Sequence, residues 1–162
     1  ARWGSRGASL VDDAASTALH AKRELPVLGA HFTPGATKVL QNMTDYANDL
    51  LKADPSIAKT VLSQKEYAAG VAKSSVAKMQ YGNAVERLVA DQIAKSKDLH
   101  QQLFKHVGGP KKPDFIGKGP ALGKNFDITT PAAVNKHLAR PIYGRGLNVV
   151  TYIRPPTFVR FP

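Results

Sequence analysis

The spacing of apolar residues divides the chain into a helical first part and a second part that contains short strands. Capping signals predict a helix over 9–25. Apolar residues at helical spacing predict three more helices, over 36–53, 56–78 and 79–94. Asp54 followed by Pro55 is typical of a helix start, and Gly70 is a predicted weak point inside the third helix.

After Pro110 the pattern changes, because β-branched and aromatic residues alternate with Gly and Pro breakers. We predict strands over 114–116, 124–129 and 147–153, a helix over 131–139, and an edge strand over 157–161. Residues 98–106 extend the preceding helix or form a short one. The expected fold class is α/β (α+β), a helical N-terminal part followed by a small mixed β-sheet flanked by helices. Residues 1–55 are predicted as a helical extension or subdomain, and 56–162 as the core.

The charge balance narrows the class of partner. A net charge of +11 on 162 residues, with a pI near 10, predicts attraction to a polyanion: nucleic acid first, an anionic membrane second, an acidic protein third. The chain has no cysteine, which excludes disulfides and thiolate metal sites. No apolar run approaches the roughly 18 to 20 residues that span a bilayer, so we expect no stable membrane insertion. The sequence starts without Met, which predicts either a fragment cut from a longer chain or a residue left by the expression vector.

Two acidic residues stand alone in the basic second half. Asp114 and Asp127 are the only carboxylates from Leu99 to the C-terminus, among ten Lys or Arg. Each lies in or beside a predicted strand, where Asp is otherwise uncommon. Glu86 is a third carboxylate, on the edge of a predicted buried helix stripe. Oxygen ligands on rigid elements suit a divalent metal that assists phosphodiester hydrolysis.

The order of these residues resembles the PD-(D/E)XK nuclease superfamily over roughly residues 79–153. Glu86 lies in YGNAVERL, Asp114 follows Pro113 in KPDF, and Asp127 lies in FDIT. The resemblance implies a PD-(D/E)XK-like core in which Glu86, Asp114 and Asp127 are catalytic and bind a divalent metal, with Mg²⁺ expected. Thr129 stands where the family has lysine. Lys136 is the preferred substitute, because Lys124 falls on the opposite strand face from Asp127.

A second resemblance concerns the phrases GKNFDITTP, HLARP and TYIRPP. They are similar to toxin domains at the C-termini of bacterial contact-dependent growth inhibition proteins. That resemblance implies export as the C-terminal part of a large cell-surface protein and action in the target-cell cytoplasm. It also implies a nucleic-acid substrate, with RNA (transfer RNA) preferred over DNA, and neutralisation by a cognate acidic immunity protein.

Two other functions remain open from the residues themselves. A metal-independent ribonuclease would use His and Lys, and His137 beside Lys136 is the strongest candidate, ahead of His100 and His106. A non-catalytic module would bind nucleic acid through charge alone. Tyr143 and Tyr152 could stack on a base, although packing in the sheet is the preferred interpretation for Tyr152. Five basic residues are predicted to contact phosphates: Lys118, Lys124, Arg140, Arg145 and Arg154.

Overall fold

The computed structural model describes residues 32–96, 104–109, 111–140 and 147–162. Its α-helices are α1 (Phe32–Ala53), α2 (Gln64–Ala72), α3 (Ser74–Lys95) and α4 (Val134–Leu138). Its strands are β1 (Phe104–His106), β2 (Phe115–Gly117), β3 (Asn125–Thr129) and β4 (Leu147–Thr151). Short 3₁₀ helices cover Pro55–Thr60, Gly119–Ala121 and Pro131–Ala133. The predicted helix over 9–25 lies outside the described residues, as do His100, Tyr143 and Arg145.

The helix predicted over 36–53 is confirmed, although α1 begins four residues earlier, at Phe32. The predicted helix start at Asp54 is also confirmed. The Asp54 carboxylate accepts a hydrogen bond from the backbone N–H of Ser56 at 3.0 Å, and Pro55 occupies the first position of the 3₁₀ helix. The helical spacing over 36–53 and the Asp54-Pro55 cap both depend on neighbouring residues alone, which explains why the structure contains both.

The single helix predicted over 56–78 is wrong, because the chain turns twice within it. Ser63 begins α2 with a capping box, in which its hydroxyl accepts the N–H of Glu66 and the Glu66 carboxylate accepts the N–H of Ser63. Lys73 is extended and separates α2 from α3. Gly70 does not break α2. It is buried there, and an added Cβ would come within 2.6 Å of the Phe161 ring.

The four strands form one mixed sheet in the order β1-β2-β3-β4, which agrees with the predicted fold class. β1, β2 and β3 pair antiparallel, and β3 pairs with β4 in parallel. A parallel pair needs a crossover connection rather than a hairpin, and α4 lies in the connection between β3 and β4.

Two predicted elements are wrong because distant contacts decide them. Residues 104–106 form β1 rather than a helix, since Phe104 packs edge-on against the rings of Phe115 and Phe126. The segment 157–161 contains a turn residue and a bend and no strand, so the predicted edge strand is wrong. There Phe158 packs against Tyr81 and Phe161 stacks on Tyr67, with ring centroids 4.8 and 5.0 Å apart.

The register places the aromatic residues of β1, β2 and β3 on one face of the sheet. Residues directly opposite in a ladder share a face, and alternate residues of a strand do so too. Phe104, His106, Phe115 and Phe126 therefore lie on one face. The side chains of Asp127 and Thr129 project from the other, and both residues are buried.

The described residues fall into two compact units. One, which we call the helical unit, contains 45–88 and 154–162; the other, the sheet unit, contains 32–44 and 89–153. α1 and α3 each contribute residues to both units. The predicted boundary at residue 55 stays a prediction, because residues 1–31 are outside the described part. None of the helices that the structure describes is both long and apolar enough to cross a membrane.

The sheet unit includes the first half of α1, which contacts β4 through side-chain amides and hydroxyls. Gln41 Nε2 donates to the Thr151 carbonyl at 2.7 Å, and Gln41 Oε1 accepts the Thr151 N–H at 3.2 Å. Thr37 lies 3.5 Å from the side-chain oxygen of Asn148. The two bonds of Gln41 attach α1 to the edge of β4 that does not pair with β3.

Candidate active site

β3 and the segment after it assemble a cluster of polar side chains within the sheet unit. Asp127 and Thr129 are two residues apart, so they project from the same face about 6.8 Å from each other. Thr130 and Pro131 then end the strand, and the following turn of 3₁₀ helix leads into α4. His137 lies near the end of α4 and returns to β3, where it contacts both Asp127 and Thr129.

The shortest contact in the cluster joins Asp127 and His137. Asp127 Oδ2 lies 2.6 Å from His137 Nδ1, slightly shorter than the roughly 2.7 to 2.9 Å that is usual for a charge-assisted N–H···O hydrogen bond. Asp127 is 1% exposed, and the His137 side chain is 17% exposed. A buried carboxylate needs a partner, and here the imidazole supplies it while keeping an edge accessible to solvent.

Thr129 contacts the other nitrogen of the same ring, with its hydroxyl oxygen 3.3 Å from His137 Nε2. An ionised carboxylate can only accept, so Nδ1 is the nitrogen that donates to Asp127. In the neutral imidazole Nε2 then carries the lone pair, and the Thr129 hydroxyl donates to it. The ring is therefore held in the tautomer whose free base is Nε2.

Asp114 fixes Asp127 from the neighbouring strand. The two residues occupy opposite positions just beyond the last paired residues of β2 and β3, Phe115 and Phe126. In place of further backbone pairing, the Asp114 N–H donates to Asp127 Oδ1 at 2.9 Å, and the Ile128 N–H donates to Asp114 Oδ2 at 2.8 Å. The two isolated acids of the sequence thus lie side by side, and Asp127 is oriented by a backbone donor on one oxygen and by His137 on the other.

The predicted basic residues occupy different positions. Lys136 is exposed on α4, and adjacent helical residues point about 100° apart, so it does not share the direction of His137. Lys118, Lys124 and Arg140 are half-exposed in the sheet unit. The last predicted phosphate contact within the described residues, Arg154, belongs to the helical unit.

Glu86 also belongs to the helical unit, where it is half-exposed on α3. Among the residues that the structure describes, no three His, Asp or Glu side chains are grouped so that they could hold a metal ion. Both carboxylates already have hydrogen-bond partners without a metal. Each accepts a backbone N–H, and Asp127 also accepts the N–H of the His137 imidazole. Their role as Mg²⁺ ligands with Glu86 stays a prediction.

Sequence reasoning named Asp127 and His137 but did not connect them, and it missed the contact of Thr129. The spacing held a signal: an Asp and a Thr two apart on a strand, with a His eight residues after the Thr on the next helix. The other described candidate histidine, His106, is excluded from the cluster by register. It lies opposite Phe115 on the aromatic face, with the two rings 5.2 Å apart.

Comparison with other proteins adds no family to this description. No protein-family model matches the chain, and no curated protein or solved structure is significantly similar to it. The geometry of Asp127, His137 and Thr129 is therefore the main basis for a functional proposal.

Proposed function

We propose that the chain is a toxin ribonuclease that cleaves RNA phosphodiesters with His137 as its general base. The observation that carries the proposal is the 2.6 Å bond between His137 Nδ1 and the buried carboxylate of Asp127. In many enzymes a histidine base is oriented in this way: one ring nitrogen donates to an acceptor, and the other ring nitrogen removes the proton of a hydroxyl. The second resemblance found in the sequence supports the toxin setting, and the charge of +11 supports a polyanionic substrate.

RNA carries a hydroxyl that suits a single imidazole. Nε2 of His137 would remove the proton of a ribose 2′-hydroxyl, whose oxygen then attacks the adjacent phosphorus. The bond from phosphorus to the 5′-oxygen breaks, and that oxygen leaves with a proton from solvent. The products are a 2′,3′-cyclic phosphate and a 5′-hydroxyl. In this reaction Asp127 stabilises the imidazolium that forms. Lys118, Lys124 and Arg140, which are half-exposed in the same unit, are predicted to contact phosphates.

A metal-dependent nuclease is the second candidate, and the adjacency of Asp114 and Asp127 favours it. Paired carboxylates are common ligands of Mg²⁺. Among the described residues, no group of three His, Asp or Glu side chains could hold a metal ion, and Asp127 already accepts two hydrogen bonds. These residues do not fit a metal site well, so we assign no step to one. The toxin's transfer-RNA substrate and its acidic immunity partner are parts of the same proposal, and both rest on the second resemblance.

The deciding experiment incubates the purified protein with transfer RNA and with plasmid DNA, in Mg²⁺ and in chelator. We expect RNA cleavage that persists in chelator and leaves a cyclic phosphate end. His137→Ala should lower the rate about 10²- to 10⁴-fold, the usual contribution of a general base. Added imidazole should restore part of it, because the free base can occupy the space of the missing ring.

His106→Ala is the matched control, since His106 lies in the same unit but on the opposite face of the sheet. The His106→Ala protein should cleave RNA within about threefold of the wild-type rate, because the His106 ring takes no part in proton transfer. A fully active His137→Ala protein would refute the proposal. Cleavage that chelator abolishes and Mg²⁺ restores would favour the metal-dependent candidate. Binding with a steep salt dependence and no cleavage in any condition would indicate a non-catalytic module.

A further inference from the structure

Both nitrogens of the His137 ring are held by side chains of β3. Asp127 contacts Nδ1 at 2.6 Å and the Thr129 hydroxyl contacts Nε2 at 3.3 Å. A neutral imidazole nitrogen has one lone pair, so Nε2 accepts one good hydrogen bond at a time. A substrate hydroxyl that gives its proton to Nε2 must therefore take the position of the Thr129 hydroxyl.

We propose that Thr129 is a specificity-determining residue, whose hydroxyl competes with a ribose 2′-hydroxyl for Nε2 and thereby lowers the preference of the site for ribose over deoxyribose ligands. This inference rests on the proposed function and names the chemical group that the site selects. A 2′-deoxy ligand has no hydroxyl proton at the 2′ position to offer Nε2, so it leaves the bond between Thr129 and His137 in place. A ribose ligand replaces that bond with one of its own.

The burial of Thr129 gives the competition its strength. Thr129 is 8% exposed, so its hydroxyl has little access to water when it leaves Nε2. Leaving a buried hydroxyl without a hydrogen-bond partner costs free energy. The ligand must supply that energy through its own hydrogen bond, which a deoxyribose cannot make. A site rejects an analogue strongly when binding that analogue leaves a buried polar group unpaired. Thr129 keeps Nε2 paired when a deoxy ligand is bound, so it weakens that rejection.

The test uses ligands that carry no scissile bond, so that affinity is measured apart from chemistry. The four ribonucleoside 3′-monophosphates and their four 2′-deoxy counterparts are titrated into wild-type protein, Thr129→Val and Thr129→Ser. Valine removes the competing hydroxyl, so the ribose ligands should bind about two- to twelvefold more tightly, the usual value of one neutral hydrogen bond. The deoxy ligands should bind Thr129→Val within about twofold of wild type, and Thr129→Ser should behave as wild type.

Two further measurements separate competition from other roles of Thr129. In nitrogen NMR, Thr129→Val should shift the Nε2 resonance of His137 and leave the Nδ1 proton bonded to Asp127, while the melting temperature reports the fold. Equal changes for ribose and deoxy ligands, or no change for either, would overturn the inference. A folded Thr129→Val protein without any RNA cleavage would also overturn it, because the hydroxyl would then be a reacting group.

Failure here can be told apart from failure of the proposed function. If His137→Ala loses cleavage and the ratio of ribose to deoxy affinity is unchanged in Thr129→Val, only the role of Thr129 is wrong. If His137→Ala keeps full cleavage, the proposed function is wrong whatever Thr129→Val shows.

Discussion

Replacing Asp127 with Asn tests the orientation of His137 with little change in shape. Asp127 accepts two hydrogen bonds, from the Asp114 N–H at Oδ1 and from His137 Nδ1 at Oδ2. A backbone N–H can only donate, so the amide oxygen of the Asn side chain must stay at the Oδ1 position. The amide NH₂ then faces Nδ1, and because it donates, Nδ1 has to accept. The imidazole proton moves to Nε2, which can no longer act as a base.

The structure allows the size of both effects to be estimated. A general base contributes about 10²- to 10⁴-fold to the rate, so Asp127→Asn should raise the barrier by about 2.7 to 5.5 kcal/mol. The stability loss should be smaller, about 1 kcal/mol. A hydrogen bond to a charged group is exchanged for a neutral one, while the shape and the bond to Asp114 are kept. The rate should therefore fall far more than the stability.

Single-turnover cleavage of end-labelled transfer RNA and chemical denaturation measure the two quantities. Asp91→Asn is the charge-matched control, because Asp91 lies in the same unit and forms an ion pair with Lys95 at 2.9 Å. An Asp114→Asn protein separates the two nuclease mechanisms. Its amide oxygen can still accept the Ile128 N–H, so the His137 mechanism predicts a loss within about tenfold, since one neutral hydrogen bond is worth up to about that factor. The metal-dependent mechanism predicts loss of a ligand and of cleavage. A folded Asp127→Asn protein within about threefold of the wild-type rate would refute the reasoning.

Two further changes test the packing and the electrostatics of the fold. Gly117→Ala would drive a Cβ into the carbonyl of Ala121, so thermal unfolding should show a loss of about 1 to 3 kcal/mol or more, and an unchanged melting temperature would contradict this close approach. Burial favours a higher pKa for Glu66, but hydrogen bonds from Ser63 and Arg87 outweigh it and hold the pKa below the ordinary 4.5. Glu66→Gln keeps an oxygen for the capping box but loses the charge that pairs with Arg87, so it should lower the free energy of unfolding by about 0.2 to 1 kcal/mol at pH 7. The difference from wild type should shrink as the pH falls below 4.5, because the Glu66 carboxylate is then protonated. A loss of stability that does not depend on pH in denaturant titrations would exclude the charge as its source.

The sequence predicts local features of this fold better than distant pairings. The cap at Asp54 and the strand at Asn125–Thr129 follow from neighbouring residues, and both are present. β1 could not be predicted, because its three residues are compatible with a helix and become a strand only by pairing with β2. Phe158 and Phe161 read as an edge strand, yet their partners are aromatic rings on α2 and α3.

The candidate site follows the same rule. Two carboxylates alone among basic residues pointed to Asp114 and Asp127, and their strands do bring them together. The contact between Asp127 and His137 depends on how a short helix returns to the sheet after Pro131, and periodicity does not specify that geometry. Thr129 was judged by comparison with a family motif, in which it replaces a lysine. Its actual neighbour is an imidazole from eight residues later.

The amide of Gln41 has a consequence for how this protein behaves at high concentration. By accepting the N–H and donating to the C=O of Thr151, the side chain imitates one residue of an additional strand. An unpaired strand edge is a template on which a second chain can add and start an aggregate. At Thr151 that template is already used by the protein's own helix, so the basic chain is protected there against edge-to-edge association by a side chain rather than by charge.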